Sequence, residues 1–154
     1  MNLFKNHQYA LQSLIYSVSM GITTTVHHLH AGLILDSDGE SLHLVAMEMI
    51  LIPATVVSMI LYLRNGNRTA LWFYLLLAAS GFIFLGLYEG GWNHTARLIA
   101  YLRVDSPETN IETLLPAGNL HLWFYEITGV LTLIVTLLAT YYTWLFYQET
   151  RTTD

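Results

Sequence analysis

Cysteine is absent from this chain of 154 residues, and its absence excludes several kinds of site. The chain cannot form a disulfide, supply a thiolate ligand, hold an iron–sulfur cluster through cysteine or attach a c-type haem covalently. Any metal ion would have to be bound by histidine, carboxylate or methionine side chains. The sequence contains seven histidines, eleven acidic residues and five methionines that offer such ligands.

Charged residues are also scarce, at 11% of the chain, whereas hydrophobic residues make up 54%. A soluble domain normally carries about twice that share of charge, so an integral membrane protein is the first expectation. Four stretches reach the length of about 20 mostly apolar residues that a membrane-spanning helix needs. We predict an all-α protein of the lipid bilayer, a four-transmembrane-helix bundle that forms one domain over residues 1–154, with spans at 9–35, 41–63, 70–92 and 120–147.

Basic residues number only six, and their distribution predicts the orientation of the chain. Four of them fall at the end of the predicted bundle that holds both termini: Lys5, Arg64, Arg68 and Arg151. Because cytoplasmic loops are enriched in Lys and Arg, we expect both termini in the cytoplasm of a cell whose inner or plasma membrane holds the protein. All the acidic residues except Glu149 and Asp154 fall at the opposite end, which argues against nucleic acid as a partner.

The one long connection runs from His94 to Gly118, between the third and fourth spans. Its first part, residues 96–104, has Leu98, Ile99 and Leu102 on one side, and this pattern predicts a short interfacial helix. Two interpretations fit the pattern equally well. The helix either covers the outer end of the bundle as a lid, or it simply connects two spans.

Six of the seven histidines are predicted to lie at the extracytoplasmic end, and only His7 is left on the other side. Three glutamates fall at a similar depth, each five positions from a histidine of the same span. These pairs are His43 with Glu48, Glu89 with His94, and His121 with Glu126. The first span adds His27 and His30, one turn apart. The pattern predicts a layer of histidines above a layer of glutamates.

Ionisable residues inside a membrane are costly unless a proton, a partner or a cation neutralises them. A metal ion would neutralise the carboxylates and also bind the imidazoles, and inward-facing Glu and His often form such sites in helix bundles. Mixed nitrogen and oxygen ligands favour copper, iron or zinc over calcium or magnesium. We therefore predict a transition-metal site, with enough ligands for two ions, among His27, His30, His43, Glu48, Glu89, His94, His121 and Glu126.

The spacing of the three His/Glu pairs allows this site to form only under one condition. Residues five apart on a regular α-helix point about 140° away from each other, so both reach one ion only where the helix is distorted. Gly90 and Gly91 could supply a distortion by ending the third span before His94. The sequence leaves open whether His28 or Asn119 is a further ligand.

The leading functional interpretation is a membrane metalloprotein with redox or oxygen-related chemistry, such as a copper- or iron-dependent membrane oxidoreductase. Redox chemistry is favoured over hydrolysis with zinc because no separate nucleophile is evident. The alternatives are a b-type haem protein with histidine axial ligands, a metal or proton transporter, and an accessory subunit of a larger membrane complex. The sequence does not decide between a single chain and a homo-oligomer.

Overall fold

The computed structural model describes residues 7–35, 40–102 and 120–152, and these residues are almost entirely helical. Five α-helices follow one another, namely α1 (Ala10–His30), α2 (Glu40–Asn65), α3 (Arg68–Gly81), α4 (Arg97–Leu102) and α5 (Leu120–Thr152). Two further stretches are π-helical: Ala31–Leu35 extends α1, and Phe82–Ala96, called here the π-segment, joins α3 to α4. The described residues contain no strand, which confirms the all-α prediction for them.

Four long helices pack side by side, with α3 and the π-segment forming one of them. Helix α1 makes its main contacts with α5 and α2, α2 also packs on α3, and the π-segment packs on α5. The turn between α2 and α3 is tight because Gly66 adopts a φ of 63° and the Asn67 side chain caps α3 by accepting from the Ala70 N–H at 3.1 Å. The helices therefore alternate in direction along this part of the chain.

Three helical stretches are long and apolar enough to cross a membrane: Ser41–Asn65, Arg68–Ala100 and Leu120–Thr152. The predicted first span, 9–35, is not one of them. It forms α1, whose buried face is largely polar and whose outer face exposes apolar side chains such as Ile15, Ile22 and Val26. Because its polar residues face the other helices, the mean hydropathy of α1 is lowered by side chains that lipid would not contact.

The end of the bundle near the described termini is stabilised by an apolar cluster and a hydroxyl network. The cluster is formed by Ala10, Met59, Tyr62, Ala70, Leu71, Tyr74 and Phe146. Beside it, the Ser13 hydroxyl bonds with Thr143 at 2.9 Å, and both Ser13 and Ser17 bond with the Tyr74 hydroxyl. Glu149 accepts from the Gln8 and Tyr9 N–H groups that precede α1. These contacts tie α1 to α3 and α5.

Glycines allow the π-segment and α5 to approach closely at the other end. A Cβ atom added to Gly90 would lie 2.6 Å from the Leu133 backbone nitrogen and 3.0 Å from the Gly129 carbonyl oxygen. Any side chain at position 90 would push the two backbones apart, since such distances are well inside van der Waals contact. The close approach brings side chains of the π-segment directly onto α5.

The predicted interfacial helix at residues 96–104 corresponds in part to α4, Arg97–Leu102. Helix α4 continues directly from the π-segment without a break, so the chain does not leave the helix at Gly90 and Gly91. The expectation that these glycines end the third span before His94 was therefore wrong. Residues 103 and 104 lie outside the described residues.

Candidate metal centre

The candidate site lies where the C-terminal part of α1, the C-terminal half of the π-segment and the first turns of α5 meet. These three elements run past one another at the end of the bundle opposite the apolar cluster. His27 comes from α1, Glu89 and His94 come from the π-segment, and Glu126 comes from α5. All four belong to the ligand set predicted from the sequence.

The π-helical geometry brings Glu89 and His94 together. In a π-helix the backbone hydrogen bonds join residues five apart, so side chains at positions i and i+5 lie on nearly the same face. The Thr95 hydroxyl follows the same register by donating to the Gly90 carbonyl at 2.7 Å. His94 Nε2 consequently lies 3.2 Å from Glu89 Oε1, a contact that a regular α-helix would not allow at this spacing.

Two glycines lie in the part of this segment that separates Glu89 from His94. They are Gly90 and Gly91, and glycine favours departure from the α-helix because its backbone is conformationally free. At Gly90 a side chain is also excluded by the α5 backbone. The π-segment therefore packs tightly on α5 at the same place where its π-helical backbone aligns Glu89 with His94.

His27 is held by a hydrogen bond that fixes which ring nitrogen faces the site. Its Nδ1 lies 2.9 Å from the Thr128 hydroxyl oxygen. The Thr128 hydroxyl also lies 2.8 Å from the Phe124 carbonyl and 3.1 Å from the Tyr125 carbonyl, and donation to either leaves its oxygen able to accept from His27 Nδ1–H. In that arrangement His27 is the Nδ1–H tautomer, and its Nε2 presents a lone pair to the site.

Glu89 Oε1 lies between two imidazole nitrogens. It is 3.4 Å from His27 Nε2 and 3.2 Å from His94 Nε2. His27 Nε2 is buried and makes no hydrogen bond to a described residue. The ligand atoms of His27, Glu89 and His94 all lie within 4.8 Å of one another, so this His/Glu group could hold a metal ion.

Each member of the group is also oriented by an outer partner. His94 Nδ1 lies 2.9 Å from Glu126 Oε2, and Glu89 Oε2 accepts from the Asn93 side-chain amide at 2.8 Å. The Thr128 hydroxyl orients the His27 ring in the same way, through its hydrogen bond with Nδ1. Metal-binding histidines usually donate their second N–H to a carboxylate or another acceptor, and ligating carboxylates are in turn hydrogen-bonded.

The two histidines of the site are enclosed by protein, while the Glu89 side chain is 15% exposed. His27 is 0% exposed and His94 is 1% exposed, so the group is drier than a surface cluster of acids and histidines. The Tyr125 ring stacks on His27 with ring centroids 4.4 Å apart and meets His94 edge-on at 4.8 Å. Gly129 lies against the His94 ring, where a Cβ atom would overlap it.

The structure distributes the other predicted ligands over different places. Glu48 is buried and pairs with His28, Nδ1 to Oε1 at 2.8 Å. His30 and His121 stack together, with Nε2 and Nδ1 3.3 Å apart. His43 is exposed, so the His43 and Glu48 side chains of the regular helix α2 point in different directions, and His121 and Glu126 of α5 do likewise.

Two residues of the site were missed by sequence reasoning, Thr128 and Asn93. Asn93 stands four positions after Glu89, a spacing that brings side chains together on one helix face and was available as a signal. Thr128 gave a weaker signal, because a threonine in a transmembrane helix commonly bonds to its own backbone, as Thr128 also does. Asn119, left open as a ligand, lies outside the described residues.

Comparisons of the chain with protein-family models, with curated proteins and with solved structures found no match. The functional conclusion therefore depends on the geometry of the site.

Proposed function

We propose that the protein is an integral membrane metalloprotein with one transition-metal ion bound by His27 Nε2, His94 Nε2 and Glu89. Glu126, Thr128 and Asn93 act as orienting partners. Glu126 is thus assigned to a supporting position instead of the ligand position predicted from its sequence pattern. The centre carries out redox or oxygen-related chemistry.

The observation that carries this proposal is the environment of Glu89 Oε1. A carboxylate oxygen faces the lone pair of His27 Nε2 at 3.4 Å and a second imidazole nitrogen at 3.2 Å. Electron-rich atoms repel one another in a buried site unless a proton or a metal ion lies among them. A cation that accepts all three donors removes the repulsion and gives His27 Nε2 a partner.

The spacing of the donors is suitable for one ion. Two donor atoms that each lie about 2.1 Å from a tetrahedral metal ion are about 3.4 Å apart. The two contacts of Glu89 Oε1, at 3.2 and 3.4 Å, have this separation, and all three ligand atoms lie within 4.8 Å of one another. Small adjustments of side chains that are already oriented would complete the coordination.

Charge balance supports a divalent ion. Glu89 and Glu126 contribute two negative charges to a region where uncompensated charge is costly. A proton shared with His94 would balance one of these charges, whereas a divalent cation bound to neutral imidazoles balances both. The Glu126 carboxylate, which contacts His94 Nδ1, also makes the His94 imidazole a stronger ligand.

The ligand set resembles in chemistry the two-histidine, one-carboxylate arrangement that leaves coordination positions open. With iron such sites react with dioxygen, and with zinc they activate water. Iron or copper is favoured here because the described surroundings of the group offer aromatic and aliphatic side chains and no separate nucleophile. The enclosed site also limits access of water.

Two of the alternative functions fit the geometry less well. Axial haem ligands lie on opposite faces of a porphyrin, but the His27 and His94 rings are in contact, with centroids 4.7 Å apart. A pathway for protons or metal ions would need ionisable groups that continue towards the opposite end. The buried polar side chains that continue along α1 and α5 are instead serine and threonine hydroxyls: Ser13, Ser17, Thr24, Thr132, Thr136 and Thr143.

The placement in the membrane is part of the same proposal. The apolar outer face of α1 lets it serve as a fourth span beside the three apolar helical stretches. The positive-inside distribution then puts the termini in the cytoplasm and the metal centre towards the extracytoplasmic side. Trp92 and Trp123 mark the outer interface in this arrangement, and Trp72 and Trp144 mark the inner one.

Elemental analysis and absorption spectroscopy of the wild-type protein, purified without a histidine tag, test the function directly. We expect about one transition-metal ion per chain after reconstitution with Fe(II), Cu(II) or Zn(II) in parallel samples. A metal-free protein that binds none of these ions would contradict the proposal. It would favour instead a triad in which a protonated His94 bridges Glu89 and Glu126, detectable by ¹⁵N NMR of the imidazole.

The Thr128→Val variant tests the orienting hydrogen bond to His27. Valine keeps the size and branching of threonine but cannot accept from Nδ1–H, so we expect metal affinity to fall about 10-fold or more. Thr132→Val is the matched control, since Thr132 is buried one turn further along α5 and its hydroxyl donates to the Thr128 carbonyl. Competition titration with a chromophoric chelator measures both affinities, and equal values would exclude the assigned role of Thr128.

A further inference from the structure

A cavity lies between α1, α2 and the helix formed by α3 and the π-segment, separate from the His27, Glu89 and His94 group. Its volume is about 430 Å³, within the range of small-molecule sites. Most of its wall is apolar, with Met20, Leu51, Ile52, Phe84 and Leu85 among the lining residues. His28 and Glu48 are at the end nearer the candidate metal centre.

Glu48 supplies a polar group that the fold leaves unsatisfied. Its Oε1 is paired with His28 Nδ1 at 2.8 Å, while Oε2 is buried and makes no hydrogen bond to a described residue. The residue is only 5% exposed. A buried carboxylate oxygen without a donor is costly, and such groups in native proteins commonly mark a ligand or water position.

The remaining polar walls of the cavity do not satisfy this oxygen. The Ser17 hydroxyl bonds with Tyr74, and the Thr55 hydroxyl donates to the Leu51 carbonyl in its own helix. Ser80 also lines the cavity but makes no hydrogen bond to Glu48 Oε2. The free oxygen therefore needs a hydrogen-bond donor from a molecule inside the cavity. Since His28 already supplies a partner to the other oxygen, one neutral donor is sufficient and a second cation is not required.

The shape of the cavity indicates what the rest of the bound molecule must be like. Its lining residues on α2 extend from Leu44 to Thr55, which corresponds to about 16 Å along the helix, and Glu48 lies one turn from the Leu44 end. Helix α2 packs mainly on α1 and α3, so the cavity lies where α2 and the π-segment diverge. Met47 and Phe84 line it and are exposed on the outer surface, where lipid would lie.

We propose that this cavity binds a lipophilic alcohol or phenol from the bilayer, with its hydroxyl group donating to Glu48 Oε2 and its apolar body lying along α2. The molecule enters sideways between α2 and the π-segment. Binding at this cavity does not depend on occupation of the metal centre, so the two proposals fail independently.

Equilibrium binding of para-nonylphenol tests the proposal, with the methyl ether of the same molecule as the comparison. Both are offered as tritiated ligands to the full chain in lipid nanodiscs and measured by scintillation proximity. The ether keeps the shape and the apolar body but has no donor, so we expect the phenol to bind about 10-fold more tightly. Glu48→Gln should reduce this preference to about 3-fold, because a charge-assisted hydrogen bond becomes a neutral one of about half the strength.

Two variants of α2 separate the cavity from the lipid-facing surface. Leu51→Trp fills the cavity and should abolish binding of both ligands, whereas Ile50→Trp places the same side chain on the neighbouring, 71% exposed position and should leave binding intact. Equal affinities for phenol and ether, or no binding by either, would overturn the proposal. So would unchanged binding in Leu51→Trp, which can be judged even if Glu48→Gln fails to fold.

Discussion

The Glu89→Gln variant is expected to lose its metal ion during purification, whereas Glu48→Gln retains it. Glu89 lies between His27 Nε2 and His94 Nε2, and its carboxylate would supply both a ligand and charge compensation. Loss of an orienting partner alone commonly costs 10–100-fold in metal affinity, so loss of a ligand should cost more than about 100-fold. Metal content by elemental analysis and affinity by chelator competition measure the difference.

Glu48→Gln is a suitable control because the sequence does not distinguish the two glutamates. Each stands five positions from a histidine in its own span, and each side chain is largely buried in the structure. Only Glu89 lies within reach of two imidazole nitrogens that could share an ion. Equal loss of metal in both variants would contradict a centre at Glu89 and would return Glu48 to the ligand set. Size-exclusion profiles show whether each variant remains folded.

The helical class and the polar end of the bundle follow from features that a single sequence displays. Low charge and long apolar runs favour helices that can span a membrane, and alternation of the helix directions brings histidines and acids to one end. The polar residues of α1 recur at helical spacing in the sequence, and they face the other helices in the structure. An interior-facing polar stripe lowers the mean hydropathy of α1 below that of the three apolar stretches.

The composition of the site could be predicted only as a set of eight candidates. Three His/Glu pairs share the same spacing, and the local helix geometry decides which of them converge. Glu89 and His94 converge because the π-segment places residues five apart on one face. His43 and His121 lie on regular α-helices, and their side chains are exposed while Glu48 and Glu126 are buried.

The sequence could not predict that geometry, although it contained the glycines that accompany it. Because glycine commonly terminates helices, Gly90 and Gly91 predict the end of a helix. In the structure the helix continues through both glycines. Gly90 packs closely on the α5 backbone, which belongs to a distant segment of the chain. The same long-range contact brings Glu126 and Thr128 to the two histidines. Pairings between residues so far apart in sequence have no local signature.

The Gly129→Ala variant is expected to reduce metal affinity at least 10-fold, although position 129 offers no ligand. A Cβ atom there would overlap the His94 imidazole ring. The ring cannot swing aside without losing a partner, because Nδ1 contacts Glu126 and Nε2 contacts Glu89. The added methyl group should therefore displace His94 from the geometry that serves the ion. Chelator competition gives the affinity, and metal-centre absorption shows whether coordination changes.

Gly86→Ala distinguishes displacement of His94 from general damage to packing. A Cβ atom at Gly86 would also meet α5, but there it would overlap the Thr136 side chain, which has no contact with the metal group. Overpacking of this kind costs about 1–3 kcal/mol, so we expect Gly86→Ala to lower the unfolding temperature while metal affinity stays at the wild-type value. If both variants lose metal in proportion to their loss of stability, the site depends on the packing of the whole interface. If Gly129→Ala alone loses metal, the position of the His94 ring is what the ion requires.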